Sequence, residues 1–110
     1  MSELSSLGEL EHLILLAVLR LDGTGYAVNI REELDVQAGR SISLGAIYVT
    51  LERLERKGFI RSWLADPTPE RGGKAKRYYA IEPRAVKMLS ETRVALLNLW
   101  RGLAKVLDRA

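Results

Sequence analysis

The amino-acid sequence predicts a mainly α-helical domain with one small β-hairpin, an α+β fold. Apolar residues recur at helical spacing in three segments of the first half of the chain. Two short runs rich in β-branched and aromatic residues follow, and a loop rich in proline and glycine separates them. The last segment has no proline after Pro83, which favours a long terminal helix.

The first helix has a predicted start and a predicted core face. Ser6 and Glu9 have the spacing of a capping box, in which each side chain accepts a hydrogen bond from the backbone amide of the other residue. The core face consists of Leu10, Leu13, Ile14, Ala17, Val18 and Leu21. Other faces carry Leu15, Leu16 and Leu19. More than one neighbour must therefore bury this helix, which is expected to end at Asp22 and Gly23.

Two more helices are predicted before the hairpin. Thr24 is the expected N-cap of the second helix, which is expected to run to about Gln37. Its inward residues are Tyr26, Ala27, Ile30 and Leu34. Ser43 is the expected N-cap of the third helix, and Gly58 suits the left-handed position that ends it. The core stripe of the third helix consists of Leu44, Ile47, Leu51 and Leu54.

The hairpin and the terminal helix complete the predicted fold. One strand is expected over residues 60–65, a turn-rich loop over residues 66–74 and the returning strand over residues 76–81. Pro83 suits the first position of a final helix that is expected to run to about Leu107. Helices followed by a hairpin predict a winged helix-turn-helix domain over residues 1–81, with residues 82–110 as a helix of the same compact unit.

Composition excludes several classes of protein. The chain has 110 residues, 47% hydrophobic and 28% charged, as expected of one globular domain. It has no cysteine, which excludes disulfides and thiolate chemistry. With one histidine, His12, and no phosphate loop or clustered carboxylates, neither a metal site nor a catalytic triad can be assembled. We therefore expect no enzyme and no cofactor. Without a recognisable targeting or membrane-spanning segment, the expected compartment is the cytoplasm.

Positive charge collects in the middle of the chain. Residues 1–39 contain two Lys or Arg and seven Asp or Glu, a net charge of −5. Residues 40–77 contain nine and four, a net charge of +5, and residues 78–110 contain six and three, a net charge of +3. The third helix and the hairpin thus carry the charge that phosphate contacts require, although an uneven solvated surface would have the same pattern.

The outer face of the third helix is small at its start. Gly45, Ala46 and Val49 lie opposite the core stripe, and a helix that enters a major groove needs such small residues to approach base edges. Ala46 and Val49 are candidates for contacts with thymine methyl groups. An exposed valine beside an exposed glycine is an unusual surface unless a partner covers it, which favours a DNA groove.

Three polar residues extend this face. Ser43 and the amides beside it are candidates for a phosphate contact at the helix N-terminus. Arg53 is a candidate for guanine or phosphate, and Tyr48 is a candidate for phosphate. The ordinary alternatives are a solvated arginine and a tyrosine packed at the core boundary.

The hairpin tip is basic. Arg71, Lys74, Lys76 and Arg77 surround a Gly-Gly pair that lets the backbone approach a partner closely. A wing of this composition supplies salt-dependent phosphate and minor-groove contacts. Lys76 and Arg77 lie within the strand, and a charged hairpin that only aids solubility is the alternative.

The ordered motifs resemble those of a known family. They are Leu10-x-x-Leu13-Ile14, Gly25-Tyr26-x-x-x-Ile30, Ser43-x-Gly45-x-Ile47-Tyr48-x-x-Leu51-x-x-Leu54-x-x-x-Gly58-x-Ile60 and Arg77-Tyr78-Tyr79. Together they resemble the PadR family of bacterial transcriptional regulators over roughly residues 7–107. The resemblance implies a winged helix domain, a homodimer built by the C-terminal helix, repression at palindromic operators, and DNA contacts by Tyr48 and the basic wing. Leu44 and Val49 stand where family members often have proline.

The final helix carries an apolar stripe that needs a partner. Its members are Leu89, Leu96, Trp100, Leu103 and Leu107. A second copy of the chain is the expected partner, so residues 82–110 are predicted to be a dimerisation helix. Because some similar regulators use an aromatic residue of this helix to bind drug-like molecules, the resemblance also makes Trp100 a candidate for binding a flat aromatic effector. Trp63 is a weaker candidate, and an interface anchor is the alternative for Trp100.

A winged helix used for protein binding is the rival interpretation. The same scaffold sometimes docks partner proteins, and the acidic first 39 residues offer a surface for this. The basic wing and the small outer face of the third helix favour double-stranded DNA instead.

Overall fold

A computed structural model of the protein describes residues 7–65 and 75–110. The elements in chain order are α1 (Glu9–Leu21), α2 (Ala27–Ala38), α3 (Leu44–Arg56), β1 (Ile60–Leu64), β2 (Arg77–Ile81), α4 (Pro83–Trp100) and α5 (Ala104–Leu107). The strands pair antiparallel, with Ile60 opposite Ile81 and Leu64 opposite Arg77. The predicted fold class, helices with one hairpin in a winged helix-turn-helix arrangement, is confirmed. Each predicted strand is one residue shorter at the loop end.

The core lies between α1, α2, α3 and the hairpin. α3 contributes Ile47, Leu51 and Leu54, whose side chains are 0% exposed. α1 contributes Ile14, Leu15, Ala17 and Val18, and α4 adds Ala85, Met88 and Leu89 from its first turns. Leu16 and Leu19 of α1 are each 40% exposed, so the described residues leave part of α1 uncovered.

The start of α1 differs from the prediction. The helix begins at Glu9, and Gly8 is its N-cap. The Glu11 carboxylate accepts a hydrogen bond from the Gly8 amide at 3.1 Å, so Glu11 holds the position that the capping box had assigned to Glu9. The predicted pairing of Ser6 with Glu9 is therefore wrong, and Ser6 lies outside the described residues. Glu11 is favoured because it is also held by Lys57 of α3.

The start of α2 also differs. Thr24 does not cap the helix, because its hydroxyl donates to the Leu21 carbonyl and Tyr26 is the N-cap. Asn29 takes the capping role: its Oδ1 accepts from the Tyr26 amide at 2.7 Å, and its Nδ2 donates to the Thr24 carbonyl at 2.9 Å. The Asn29 side chain thus joins the turn before α2 to the first turn of the helix.

Both ends of α3 follow the prediction. Ser43 is the N-cap, and its Oγ accepts from the Ala46 amide at 3.2 Å. At the other end Gly58 has φ +81°, the left-handed conformation. The Gly58 amide donates to the Glu55 backbone carbonyl, and the Phe59 amide donates to the Leu54 backbone carbonyl, each at 3.0 Å. This is the Schellman pattern, which provides donors for the last carbonyls of the helix.

The terminal helix is shorter than predicted. α4 ends at Trp100, and Leu103 donates to the Trp100 carbonyl at 3.0 Å across a turn. Arg101 has φ −56° and ψ 128°, and Gly102 has φ +82°, the dihedral angles of a type II turn. Gly102 therefore ends the helix, and only the single-turn α5 follows. The prediction had relied on the absence of proline and had not treated this glycine as a stop.

Candidate nucleic-acid interface

The outer face of α3 is exposed in the way that the sequence predicts. Tyr48 is 50% exposed and Val49 is 55% exposed, while Ala46 is half-buried. Gly45 is also exposed, and a Cβ atom built there would meet no described atom within 4 Å beyond its own helix backbone. No internal packing therefore requires a glycine at this position. At Gly45 and Ala46, few side-chain atoms project from the outer face of α3.

Ser43 and Arg53 flank this surface and are both exposed. The Ser43 hydroxyl oxygen accepts the Ala46 amide, which leaves its proton able to donate to an external oxygen. Arg53 lies in the last turn of α3, on the side away from the core.

A groove of about 290 Å³ separates α3 from the base of the hairpin. Tyr48 lies on one wall, Lys76 and Arg77 on the other, and Ala27 and Val28 at the start of α2 close it. The fold thus brings together Tyr48 and the two strand cations, which the sequence had placed in separate motifs.

Contacts within the chain orient both strand cations. The Lys76 ammonium lies 3.8 Å from the centroid of the Tyr26 ring, a cation–π contact. Arg77 donates to the Ser62 hydroxyl oxygen at 3.0 Å, and Ser62 in turn donates to the Glu55 carboxylate of α3, whose oxygens lie 2.8 and 2.9 Å away. Arg77 is exposed and Lys76 is half-buried. The predicted tip residues Arg71 and Lys74 lie outside the described residues.

A row of three aromatic rings supports the hairpin, and sequence reasoning missed it. The Tyr79 amide donates to the Gly25 carbonyl at 2.9 Å, which places Tyr26 beside Tyr78 on the far side of β2 from Trp63. The Tyr78 ring lies edge-on to Tyr26, with centroids 5.8 Å apart, and stacks on Trp63 at 6.3 Å. Trp63 is 39% exposed, and its ring packs on Tyr78 of the same chain. Neither the pairing of Trp63 with Tyr78 nor the position of Tyr26 was predicted, because the first depends on the register of the strands and the second on the contact of Gly25 with Tyr79.

A buried carboxylate fixes the base of α3 against α1. Glu11 is 6% exposed, and one of its oxygens accepts from the Lys57 ammonium at 2.8 Å. Burial acts to raise the pKa of Glu11, but hydrogen bonds from Lys57 and the Gly8 amide, together with the charges of Lys57 and Arg53, outweigh it and lower the pKa. The carboxylate is therefore ionised at neutral pH, and the ion pair holds α3 in place.

The second half of α4 and all of α5 are exposed. Every residue from Arg93 to Ala110 is exposed, including Leu96, Trp100, Leu103 and Leu107 of the predicted dimerisation stripe. Leu89 differs from them, because it is only 6% exposed and packs in the core of its own chain. Its position early in α4, next to Met88, accounts for this burial.

A groove of about 420 Å³ runs between α1 and α4. It is mainly apolar, and His12 and Arg93 are among its polar members. Leu16 and Leu19 contribute from α1, and Trp100, which is 56% exposed, contributes from the end of α4. The excess apolar surface of α1 and the stripe of α4 thus form one continuous groove.

The described residues contain neither a helix that could span a membrane nor a cluster of metal ligands. Within residues 7–65 and 75–110, no helix combines the length and hydrophobicity needed to cross a membrane. No three His, Cys, Asp or Glu side chains of these residues lie together in a way that would hold a metal ion.

Comparison with known proteins gave one family match. Residues 15–91 match the model of the transcriptional regulator PadR-like family, a span from α1 into α4. The chain is also 29% identical over 103 residues to an uncharacterised protein of Lysinibacillus sphaericus, covering 92% of this chain and 86% of that protein.

Solved structures show the same fold. A PadR family transcription regulator from Clostridium difficile is similar with a TM-score of 0.67 at 22% identity, covering 93% of this chain and 97% of that one. A PadR family transcriptional regulator from Eggerthella lenta is similar with a TM-score of 0.67 at 24% identity, covering 93% and 88%.

Proposed function

The chain belongs to the PadR-like family of transcriptional regulators, and we propose that it is a sequence-specific, homodimeric repressor that binds a palindromic operator. Members of this family are regulators and not enzymes. The observation that carries the proposal is the exposed, small outer face of α3 beside a basic groove. The proposed site of action is DNA in the cytoplasm.

In this proposal α3 reads the major groove. Gly45 lets the first turn approach the base edges, and Ala46 and Val49 contact thymine methyl groups. Arg53 contacts guanine or a phosphate further along the helix. Ser43 donates to a phosphate at the N-terminus of α3, where the helix dipole favours negative charge.

The groove between α3 and the hairpin is proposed to hold the DNA backbone. Tyr48, Lys76 and Arg77 line it, and a phosphate there would accept hydrogen bonds from the tyrosine and the two cations. Arg71 and Lys74 are proposed to contact phosphate or the minor groove from the wing, residues 66–77. The net charge of +5 over residues 40–77 supports an anionic partner.

Dimerisation is proposed through the groove between α1 and α4. Residues 82–110, which comprise α4, the turn at Gly102 and α5, act as the dimerisation segment. Leu96, Trp100, Leu103 and Leu107 face the second subunit, and Leu89 lies in the floor of the groove. A two-fold dimer would present two α3 helices to half-sites one DNA turn apart, roughly 34–36 Å. Light scattering at micromolar concentration tests this, and a stable monomer would contradict it.

Trp100 is further proposed to bind a small, flat aromatic effector. The indole is exposed in an apolar groove of about 420 Å³, a size suited to a small organic molecule. Trp63 is the weaker candidate because Tyr78 already stacks on it. Titration with flat aromatic cations should quench tryptophan fluorescence in the wild type and in Trp63→Phe, but not in Trp100→Phe. Equal quenching in all three would contradict a role for Trp100.

Selection of binding sites from a random duplex pool tests the main proposal. An inverted repeat with half-sites one helical turn apart is the expected result.

The alternative function is a winged-helix module that docks proteins through the acidic residues 1–39. Absence of any enriched sequence, with binding that vanishes at modest salt, would favour that alternative. Repression is tested with the selected operator placed in a reporter promoter, whose output should fall when the protein is expressed.

A further inference from the structure

Glu52 lies on the outer face of α3, on the side that the proposed DNA contacts use. It follows Gly45 by seven residues, which places the two within about 20° of each other around the helix and nearly two turns apart along it. Val49 lies between them on the same face and is 55% exposed, and Glu52 is exposed as well. Leu51, on the opposite side, is 0% exposed. An α3 helix seated in a major groove therefore carries the Glu52 carboxylate toward the base edges.

The Glu52 carboxylate is open to an external partner. α3 contains two acidic residues, and the other one, Glu55, accepts from the Ser62 hydroxyl, whose oxygen lies 2.8 and 2.9 Å from the two carboxylate oxygens. Arg56 follows Glu52 by four residues, a spacing that permits an ion pair on a helix. Nevertheless, among residues 7–65 and 75–110, no Lys or Arg forms an ion pair with Glu52.

A carboxylate at this position opposes binding to DNA of arbitrary sequence. Residues 40–77 have a net charge of +5, and Glu52 places a negative charge on the face that approaches the phosphates. A carboxylate only accepts hydrogen bonds. In the major groove, guanine and thymine present acceptors, and adenine presents an acceptor beside its donor. Cytosine presents its N4 amino donor without an acceptor, so it is the base that a carboxylate matches best.

We propose that Glu52 is a specificity-determining residue that accepts a hydrogen bond from the N4 amino group of one cytosine in each operator half-site, a role that rests on the DNA binding proposed above. At the matching cytosine the amino group compensates for the negative charge. At other bases the repulsion between the carboxylate and the DNA is not compensated. Glu52 therefore weakens binding to other sequences more than binding to the operator.

Binding-site selection with the wild type, Glu52→Ala and Glu52→Gln tests this role. The wild type should enrich an inverted repeat with a cytosine in each half-site whose enrichment is lost in Glu52→Ala. Glu52→Gln should prefer adenine at the same position, because a glutamine amide can bond to both N6 and N7 of adenine. The control is Glu32→Gln, on the exposed side of α2, which should retain the cytosine. Thermal unfolding verifies that each variant is folded.

Fluorescence anisotropy measures the discrimination directly. Replacing that cytosine by thymine in the operator should weaken binding of the wild type about tenfold or more. The same replacement should weaken binding of Glu52→Ala by less than about twofold, because the carboxylate that distinguishes the two bases is absent. Equal losses of affinity in the two proteins would overturn the assignment of cytosine to Glu52.

The outcomes separate the role of Glu52 from DNA binding itself. An inverted repeat with the same base preferences in the wild type and in Glu52→Ala would overturn the role of Glu52 and leave the proposed regulator intact. A repeat in which Glu52→Ala changes the preference for a base other than cytosine would also overturn the proposed contact. Absence of any repeat with the wild type would overturn both proposals.

Discussion

Gly45 is the residue at which stability and DNA binding are expected to oppose each other. It is the second residue of α3, and a Cβ atom there would meet open space. Gly45→Ala should therefore stabilise the fold by up to about 1 kcal/mol, because alanine is the better helix former. The added methyl group would hold α3 away from the base edges, so operator affinity should fall about tenfold.

Thermal unfolding and fluorescence anisotropy with the selected operator measure the two effects of Gly45→Ala. Glu32→Ala, on the exposed side of α2, is the matched helix-surface control and should leave operator affinity unchanged. Unchanged affinity in Gly45→Ala would contradict close approach of the first turn of α3 to DNA.

At the scale of the elements, the ion pair between Glu11 and Lys57 joins the start of α1 to the end of α3. The folded pKa of Glu11 lies below the ordinary value of 4.5, so its contribution to stability is present above that pH and is lost as pH falls through the folded pKa. Glu11→Gln should lower the free energy of unfolding at neutral pH by about 1–3 kcal/mol. The difference from the wild type should shrink in acid.

Urea unfolding at about pH 7 and about pH 3 measures this difference. The control is Glu9→Gln, because Glu9 pairs with Arg40 on the surface and its side chain is 67% exposed. Such an exposed pair should contribute less than about 1 kcal/mol. A Glu11→Gln effect that is equally large at both pH values would contradict the linkage.

The end of α3 gives a second prediction for an element. Gly58 has φ +81°, and a Cβ atom there would lie 3.0 Å from an Arg84 side-chain nitrogen. Gly58→Ala should therefore cost about 1–2 kcal/mol, because an alanine is strained in the left-handed conformation. The transition temperature should fall by at least about 4 °C. Gly45→Ala is the contrasting alanine substitution, and an equal change of the same sign in both would contradict the Schellman assignment.

The elements also show what the sequence can and cannot predict. The caps of α3 are predictable because Ser43 and Gly58 act on neighbouring backbone groups. The starts of α1 and α2 are not predictable in this way. Several residues near each start could cap the helix, and contacts with residues far along the chain determine which one does. Glu11 is held in the capping position by a hydrogen bond from Lys57, which lies 46 residues further along the chain. The position of Tyr26 beside Tyr78 likewise depends on the pairing of Gly25 with Tyr79, a long-range contact that periodicity does not reveal.

At the scale of the whole molecule, the sequence predicted the three helices and the hairpin more fully than the course of the terminal helix. The helix and the hairpin are local features, so their order along the chain was enough to predict a winged helix-turn-helix fold. The end of α4 is set by a turn at Gly102, which moves Leu103 and Leu107 off the helix that had been expected to carry them. The five residues of the predicted stripe are thus in three different places. Leu89 of α4 packs in the core, Leu96 and Trp100 lie on the exposed second half of α4, and Leu103 and Leu107 follow the end of that helix.

Salt dependence tests the dimer and the wings together. Each phosphate contact contributes about 0.9 to the slope of log K against log salt concentration. Because a two-fold dimer carries every wing residue twice, Arg71→Ala with Lys74→Ala should reduce the slope by about 3.6. The control is Lys87→Ala with Arg109→Ala, exposed cations outside α3 and the hairpin, which should leave the slope unchanged. A reduction of about 1.8 would mean that only two of these four side chains contact phosphate, which would contradict contacts by both residues in both wings. No reduction would remove the wings from the proposed interface.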